Sequence, residues 1–173
     1  MRRIAIIGSG GAGKSTLARA LGAMLNIEVV HLDTLYWQPG WVPMDATDWE
    51  TVQRSIVAYD RWILDGNYGS TLDLRLAAAD TAIFLDVPRT TCVWSVVWRW
   101  LRHRGRPRPD IAAGCPEQID WEFIQWIWRY PRLSRPAVME RLAPYADQRQ
   151  VVILRSRADV RSFLDDVRSG RDR

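Results

Sequence analysis

Lysine is almost absent from this chain. Of 24 basic residues, 23 are arginine and Lys14 is the sole lysine. A GC-rich coding bias accounts for the arginines. The exception then marks a position where a compact, flexible ammonium is required and a planar guanidinium does not fit. Cysteine is scarce as well. Cys92 and Cys115 match no metal-ligand spacing and no disulfide framework, which makes a reducing, cytoplasmic setting the expectation. No apolar stretch approaches the roughly 20 residues of a membrane helix. The richest, residues 92–98, contains Ser95 and runs into Arg99, Arg102 and Arg104. No membrane partner is expected, nor a secretory leader, since Met1-Arg2-Arg3 leads directly into a short apolar run broken by Gly8. There is no internal repeat and no low-complexity linker.

What is present reads as one soluble globular domain: 173 residues, 20.0 kDa, 47% apolar and 25% charged. The net charge is +4 and the pI near 9.5. A solvated basic surface and a phosphate-handling site explain that balance equally well, and nucleic acid is the weaker third reading. Ten tryptophans is a high count. Buried aromatics account for most of them, with a few left to stack on a flat ligand.

Residues 4–7 form a continuous apolar run ending at a glycine, as in a buried parallel strand. Leu17, Ala18, Leu21 and Leu25 recur at helical spacing, and residues 27–32 are a second strand-like run. A Trp/Pro/Gly segment covers 37–43. Thr47 with Glu50 resembles a capping box for a helix to about residue 59. Residues 62–64 and 81–87 are the third and fourth strands, with a short helix at 71–79 between them. A helix over 89–103 is expected to turn Val93, Val96, Val97, Trp100 and Leu101 inward. Residues 105–116 are too rich in Pro, Arg and Gly for regular structure. Helices at 118–130 and 136–145, a fifth strand at 151–154 and a last helix capped by Ser156 complete the chain. Alternating strands and helices predict an α/β domain with a parallel sheet, in which ligands bind at the carboxyl ends of the strands.

Gly8-Ser9-Gly10-Gly11-Ala12-Gly13-Lys14-Ser15 matches G-x-x-x-x-G-K-[ST] in full, with a strand before it and a helix after it. The prediction is a phosphate loop. Gly8, Gly10, Gly11, Ala12 and Gly13 would let backbone N–H groups wrap an anion, aided by the N-terminal end of the helix. Lys14 would reach the β- and γ-phosphates, Ser15 would ligate Mg2+, and Thr16 would support the α-phosphate. Asp33, at the end of strand two, is the candidate to take a proton from an attacking hydroxyl; the plainer reading is a turn-capping Asp. His31 carries little weight. Asp65, closing strand three before Gly66-Asn67-Tyr68, and Asp86, closing strand four, are both candidates to hold Mg2+ through water, and the residues alone do not separate them. Arg99, Arg102, Arg104, Arg106 and Arg108, then Arg129, Arg132 and Arg135, suggest an arginine-bearing cover, although at least half would be ordinary surface. Tyr36, Trp37 and Trp41 would either stack on a base or sugar or pack as an aromatic cluster.

The phosphate loop, His31-Leu32-Asp33-x-x-Tyr36-Trp37-x-Pro39-Gly40-Trp41, Asp65-Gly66-Asn67-Tyr68 and Phe84-Leu85-Asp86-x-Pro88 occur in this order. Arg106-x-Arg108-Pro109-Asp110, Gly114-Cys115-Pro116-Glu117 and Phe123-x-x-Trp126-Ile127-Trp128 follow. Together they resemble the small bacterial P-loop proteins called DNA topology modulation (FlaR-like) proteins, in the adenylate-kinase-like superfamily. The resemblance implies a three-layer P-loop NTPase fold over residues 1–173, with a five-stranded parallel sheet and a helical, Arg-rich lid insertion at 99–135. It implies ATP and Mg2+ as cofactors, with Asp65 preferred to Asp86 behind the metal, and a small-molecule kinase as the activity. Asp33-Thr34-Leu35-Tyr36 looks like the Asp-x-Phe-Tyr of uridine-kinase-like enzymes, which favours a hydroxyl acceptor bordered by Asp33, Tyr36, Trp37, Trp41, Asp65, Asn67 and Tyr68. Trp62-Ile63-Leu64-Asp65-Gly66 is similar to the adenylate kinase signature, but Asn67-Tyr68-Gly69 replaces its Phe-Pro-Arg, which argues against a monophosphate acceptor. By the same analogy Arg155 and Ser156 would border the adenine, and Arg99 and Arg102 would close over the transferring phosphoryl. Three alternatives remain at this point: a nucleoside monophosphate kinase, an ATP-binding, DNA-associated regulatory protein, and a protein that binds ATP but has lost the chemistry.

Overall fold

A computed structural model of the chain describes residues 1–103, 112, 114, 115, 120–147 and 150–170. Five strands form one parallel sheet: β1 (Arg3–Gly8), β2 (Val29–His31), β5 (Trp62–Asp65), β6 (Thr81–Leu85) and β7 (Gln150–Leu154), in the spatial order β2-β5-β1-β6-β7. Two further strands, β3 (Trp37–Gln38) and β4 (Val42–Pro43), make a small antiparallel hairpin of the Trp/Pro/Gly segment, to which the sequence assigned no element. The helices are α1 (Lys14–Leu25), α2 (Leu32–Tyr36), α3 (Ala46–Val57), α4 (Leu72–Ala78), α5 (Arg89–His103), α6 (Trp121–Leu133), α7 (Arg135–Leu142) and α8 (Arg157–Arg168). Among the described residues no helix is long and apolar enough to cross a membrane.

The sheet is covered on both faces, which is why its central strands read as unbroken apolar runs. Side chains of β1 alternate. Ile4 and Ile6 pack with Leu17, Ala18 and Leu21 of α1 and with Val167 of α8. Ala5 faces Leu32, Trp49 and Trp62, and Ile7 faces Leu72, Leu76 and Tyr130. All of these are buried, and each large one contributes about 1.5–3 kcal/mol by leaving water. The result is the three-layer arrangement expected. Local signals hold the ends of elements. Asp45 caps α3 by accepting from Thr47 N at 2.8 Å, in place of the Thr47 cap expected. Ser156 and Asp159 form a reciprocal capping box on α8.

Two expectations fail locally. Asp33 does not end a strand: β2 stops at His31, and Asp33 lies in α2. Thr34 Oγ1 donates to the His31 carbonyl at 2.7 Å and turns the chain into a helical turn. Leu101 of α5 is 54% exposed rather than inward, because the buried stripe of that helix is Cys92 and Val96. Arg104, Arg106, Arg108, Pro109, Asp110, Pro116 and Glu117 lie outside the described residues, so much of the proposed 99–135 insertion does too.

Candidate active site

Parallel pairing brings the carboxyl ends of the strands to one edge. His31 of β2 is in register with Asp65 of β5, which is in register with Ile6, and Gly8 is in register with Leu85 of β6. The phosphate loop leaves β1 here and enters α1 through Gly13, whose φ of 98° is left-handed. Gly11 also has positive φ, and a Cβ on it would run into the backbone carbonyl of Cys92. The loop therefore lies directly on α5. A Cβ on Gly10 would meet the ring of Phe123, so α6 rests on the loop as well. Lys14 Nζ donates to the Ser9 carbonyl at 3.0 Å, which curls the lysine back across the loop.

One cavity of about 1200 Å3 opens over this edge. Gly10, Gly11, Ala12, Gly13, Lys14, Ser15 and Thr16 line it. So do Asp33, Trp37, Trp41, Asp65, Asn67, Tyr68 and Arg99, so the loop and the candidate acceptor residues share one continuous space. Tyr68 Oη donates to Asp33 Oδ1 at 2.6 Å. Burial, with the Asp33 charge added to it, pushes the Tyr68 phenol far above its usual value, so it remains a donor. The segment carrying Tyr68 is pinned from behind. Arg75, fully buried, donates to the carbonyls of Gly66 at 2.8 Å and Tyr68 at 2.6 Å. Burial pulls its guanidinium down to about 10, against the opposing pull of Tyr68 and Asp65. Asn67 Oδ1 accepts from Tyr130 Oη at 3.1 Å.

Asp65 is 4% exposed and accepts from, or shares a proton with, His31 Nδ1 at 2.8 Å through Oδ2. Its Oδ1 is buried without a partner among the described residues. An unpartnered buried carboxylate oxygen costs free energy unless something enters the cavity to meet it. A hydrated Mg2+ fits that requirement. Among the described residues no cluster of three or more His, Cys, Asp or Glu could hold an ion by itself. Asp86 is otherwise committed. It accepts a two-pronged bond from Arg135 Nε at 2.8 Å and Nη2 at 2.9 Å.

Four expected site residues stand elsewhere. Gly8 is buried at the strand end, where a Cβ would press on the Leu85 carbonyl at 2.8 Å; it lets β1 turn beside β6 and does not line the cavity. Tyr36 packs into a cluster with Trp37, Trp49 and Tyr68, ring centroids 4.7–5.0 Å away. Arg102 shares a stripe of α5 with Trp94 and Trp98, one helical turn apart each, and lines an outer groove of about 420 Å3. Arg155 precedes the cap of α8, its backbone N–H bound to Asp159 Oδ2 at 2.8 Å, and Arg157 and Arg161 of α8 line the cavity instead. Arg129 and Arg132 are exposed outside it. Nothing in the sequence marked Arg19, Thr91 and Ser95 as part of the wall, whereas Phe123 and Trp126 belong to the Trp-rich helix expected over the acceptor pocket. The i, i+4 spacing of Arg157 and Arg161 was the available signal for that part of it.

No family model matches the chain. No curated protein matches it. Solved structures do. A shikimate kinase from Acinetobacter baumannii in complex with shikimate is 17% identical, with a TM-score of 0.62, over 96% of this chain and 90% of that one. A gluconokinase from Sinorhizobium meliloti 1021 is 13% identical, with a TM-score of 0.55, over 98% and 90%. A deoxyadenosine kinase from M. mycoides with dCMP and dCDP bound is 14% identical, with a TM-score of 0.52, over 96% and 97%. At such identity the likeness is one of fold, and the chain has the fold of the P-loop kinases.

Proposed function

We propose that this chain is an ATP-dependent phosphotransferase acting on a hydroxyl group of a small molecule, a nucleoside or a similar metabolite. The observation that carries the reading is the single cavity shared by the phosphate loop and Asp33. A nucleotide-binding loop alone is common to switches, motors and kinases; a carboxylate across the same space supports transfer to a bound acceptor. The fold shared with the three kinases above is consistent with it.

In this reading the loop amides and Lys14 hold the β- and γ-phosphates of ATP, and Thr16 supports the α-phosphate. Ser15 and Asp65 would hold Mg2+, Asp65 through its open Oδ1, and the ion when bound neutralises charge on the phosphates. Asp33, held by Tyr68 at Oδ1, orients the acceptor hydroxyl and takes its proton. A bond forms between that oxygen and the γ-phosphorus. The bond from phosphorus to the β–γ bridging oxygen breaks, and ADP leaves with the electron pair. Arg99, which lines the same cavity, would close over the transferring group. Trp37, Trp41 and Asn67 border the acceptor.

The test is a coupled ADP-release screen over nucleosides, nucleotides, sugars and small hydroxyl compounds, with Lys14→Ala and Asp33→Asn alongside. Acceptor-dependent ADP release that Lys14→Ala abolishes and Asp33→Asn cuts by about a hundredfold or more supports the reading. Full turnover by Asp33→Asn removes the base assignment. Normal ATP binding by Lys14→Ala removes the loop assignment.

A further inference from the structure

Two tyrosines each take one oxygen of a polar side chain that lines the cavity. Tyr68 donates to Asp33 Oδ1 at 2.6 Å, and Tyr130 donates to Asn67 Oδ1 at 3.1 Å. The first bond leaves Asp33 Oδ2 for the acceptor hydroxyl. The second leaves Asn67 with its Nδ2 end, which carries two N–H donors and no acceptor.

Asn67 is fixed at its backbone and at its side chain. Arg75 bonds the carbonyl just before it, on Gly66, and the carbonyl just after it, on Tyr68. One buried guanidinium therefore holds the main chain on both sides of Asn67. Tyr130 stands on α6 and is 4% exposed. Its ring packs in one buried cluster with Ile7, Leu72 and Phe84 and meets Trp126 edge to face at 5.3 Å. Burial, and after it the Asp86 charge, pushes the Tyr130 phenol above its usual range, so the proton stays and is donated. The nearby Asp86 carboxylate already takes both prongs of Arg135. The two ends of an amide are told apart by the groups they meet. An amide turned the other way would spend an N–H on the phenol oxygen and deprive a buried O–H of its acceptor.

We propose that Asn67 selects the acceptor by donating Nδ2 N–H bonds into the cavity, and that Tyr130 is the positioning residue that turns the amide this way. The inference rests on the kinase reading above and names the substrate class for it. The acceptor is a hydroxyl compound that carries, near the hydroxyl that reacts, a second oxygen or a ring nitrogen able to accept an N–H. One group of the molecule gives its proton to Asp33, and another receives a bond from Asn67. A site built to make such a bond rejects a molecule that leaves its donor unpaired. A simple alcohol has the reacting group and lacks the second.

Steady-state ADP release by the full chain tests this with adenosine, cytidine, shikimate and gluconate, which have further oxygens beside each hydroxyl, and with cyclohexanol, which has none. With the best of these polyhydroxyl probes, Tyr130→Phe should raise the KM of the probe about tenfold, while kcat and the KM for ATP move less than about threefold. Asn67→Asp should bind the probe about tenfold more weakly than Asn67→Ala, because a carboxylate repels the oxygen that the amide bonds. Asn67→Asp equal to or better than Asn67→Ala overturns the inference. So does an unchanged KM in Tyr130→Phe, or turnover of cyclohexanol at the rate of that probe. Exchange of the Asn67 side-chain N–H protons with water, followed by nuclear magnetic resonance, needs no turnover. Both protons should exchange freely in the protein alone and slow about tenfold or more when a probe is added with a non-hydrolysable ATP analogue and Mg2+. A protected Nδ2 proton in the protein alone, or no slowing with any probe, overturns the inference. Failure of the kinase reading looks different: ADP release is absent with every probe, while the Asn67 protons still report the direction of the amide.

Discussion

The phenol of Tyr68 and the carboxylate of Asp33 are joined by a 2.6 Å hydrogen bond, although one follows β5 and the other follows β2. Tyr68 is held by rings on one side and by Arg75 on its own carbonyl. The carboxylate is therefore fixed at Oδ1. Removing the phenolic oxygen should loosen it without emptying the aromatic cluster. Tyr68→Phe is expected to lower turnover about tenfold with little change in melting temperature. Steady-state kinetics beside a thermal melt would check it, and unchanged turnover would remove Tyr68 from the site.

The two carboxylates that compete for the metal role differ in what they already bind. Asp65 has an open buried oxygen, and Asp86 has Arg135 on both of its own. Asp65→Asn should raise the Mg2+ concentration needed for half-maximal activity by about tenfold or more. Asp86→Asn should leave it alone and lower stability by about 1 kcal/mol, since the Arg135 partner is partly exposed. Magnesium titrations of the two variants separate them.

Gly10 has no room for a side chain because Phe123 lies against it. Gly10→Ala is expected to cost about 1–3 kcal/mol by pushing α6 off the loop. Adding Phe123→Ala should recover part of that loss, because the colliding ring is gone. A double-mutant cycle by denaturant unfolding reads the coupling; strict additivity would mean the loop and α6 do not touch in solution.

Burial raises the phenols of both Tyr68 and Tyr130, the first also through Asp33 and the second through Asp86. The folded state therefore holds these protons longer than the unfolded chain does. Their contribution to stability is complete below the ordinary phenol range near pH 10 and is lost as the pH rises above it. Of the five tyrosines, two should fail to ionise in an ultraviolet titration of the native protein up to about pH 11 and should titrate normally in denaturant. Five normal tyrosines in the native protein would contradict the buried hydrogen bonds.

The legible parts of the fold were those with short-range causes. Strand runs 4–7 and 81–87, the helix over 89–103 and the Ser156 cap are local patterns, and they appear within a few residues of where they were read. The hairpin at Trp37–Pro43 was missed, because strands of two residues leave no period to detect. In the site, Trp37 and Trp41 line the cavity while their neighbour Tyr36 packs away from it. Adjacent residues in one motif part company because backbone direction changes between α2 and the hairpin. His31 looked ordinary, and its bond to Asp65 is a product of strand register.

A phosphate loop is eight consecutive residues whose own main chain makes the cradle, so composition and order were sufficient to locate it. Which carboxylate faces that cradle, which is bound by Arg135, and which arginines share its cavity depend on contacts between residues dozens of positions apart. Those contacts follow from the sheet order β2-β5-β1-β6-β7, and that order is decided by how the two faces of the sheet find their cover. Local backbone preference acts over a few residues. Burial acts over the whole chain, and it assembled the rest of the site.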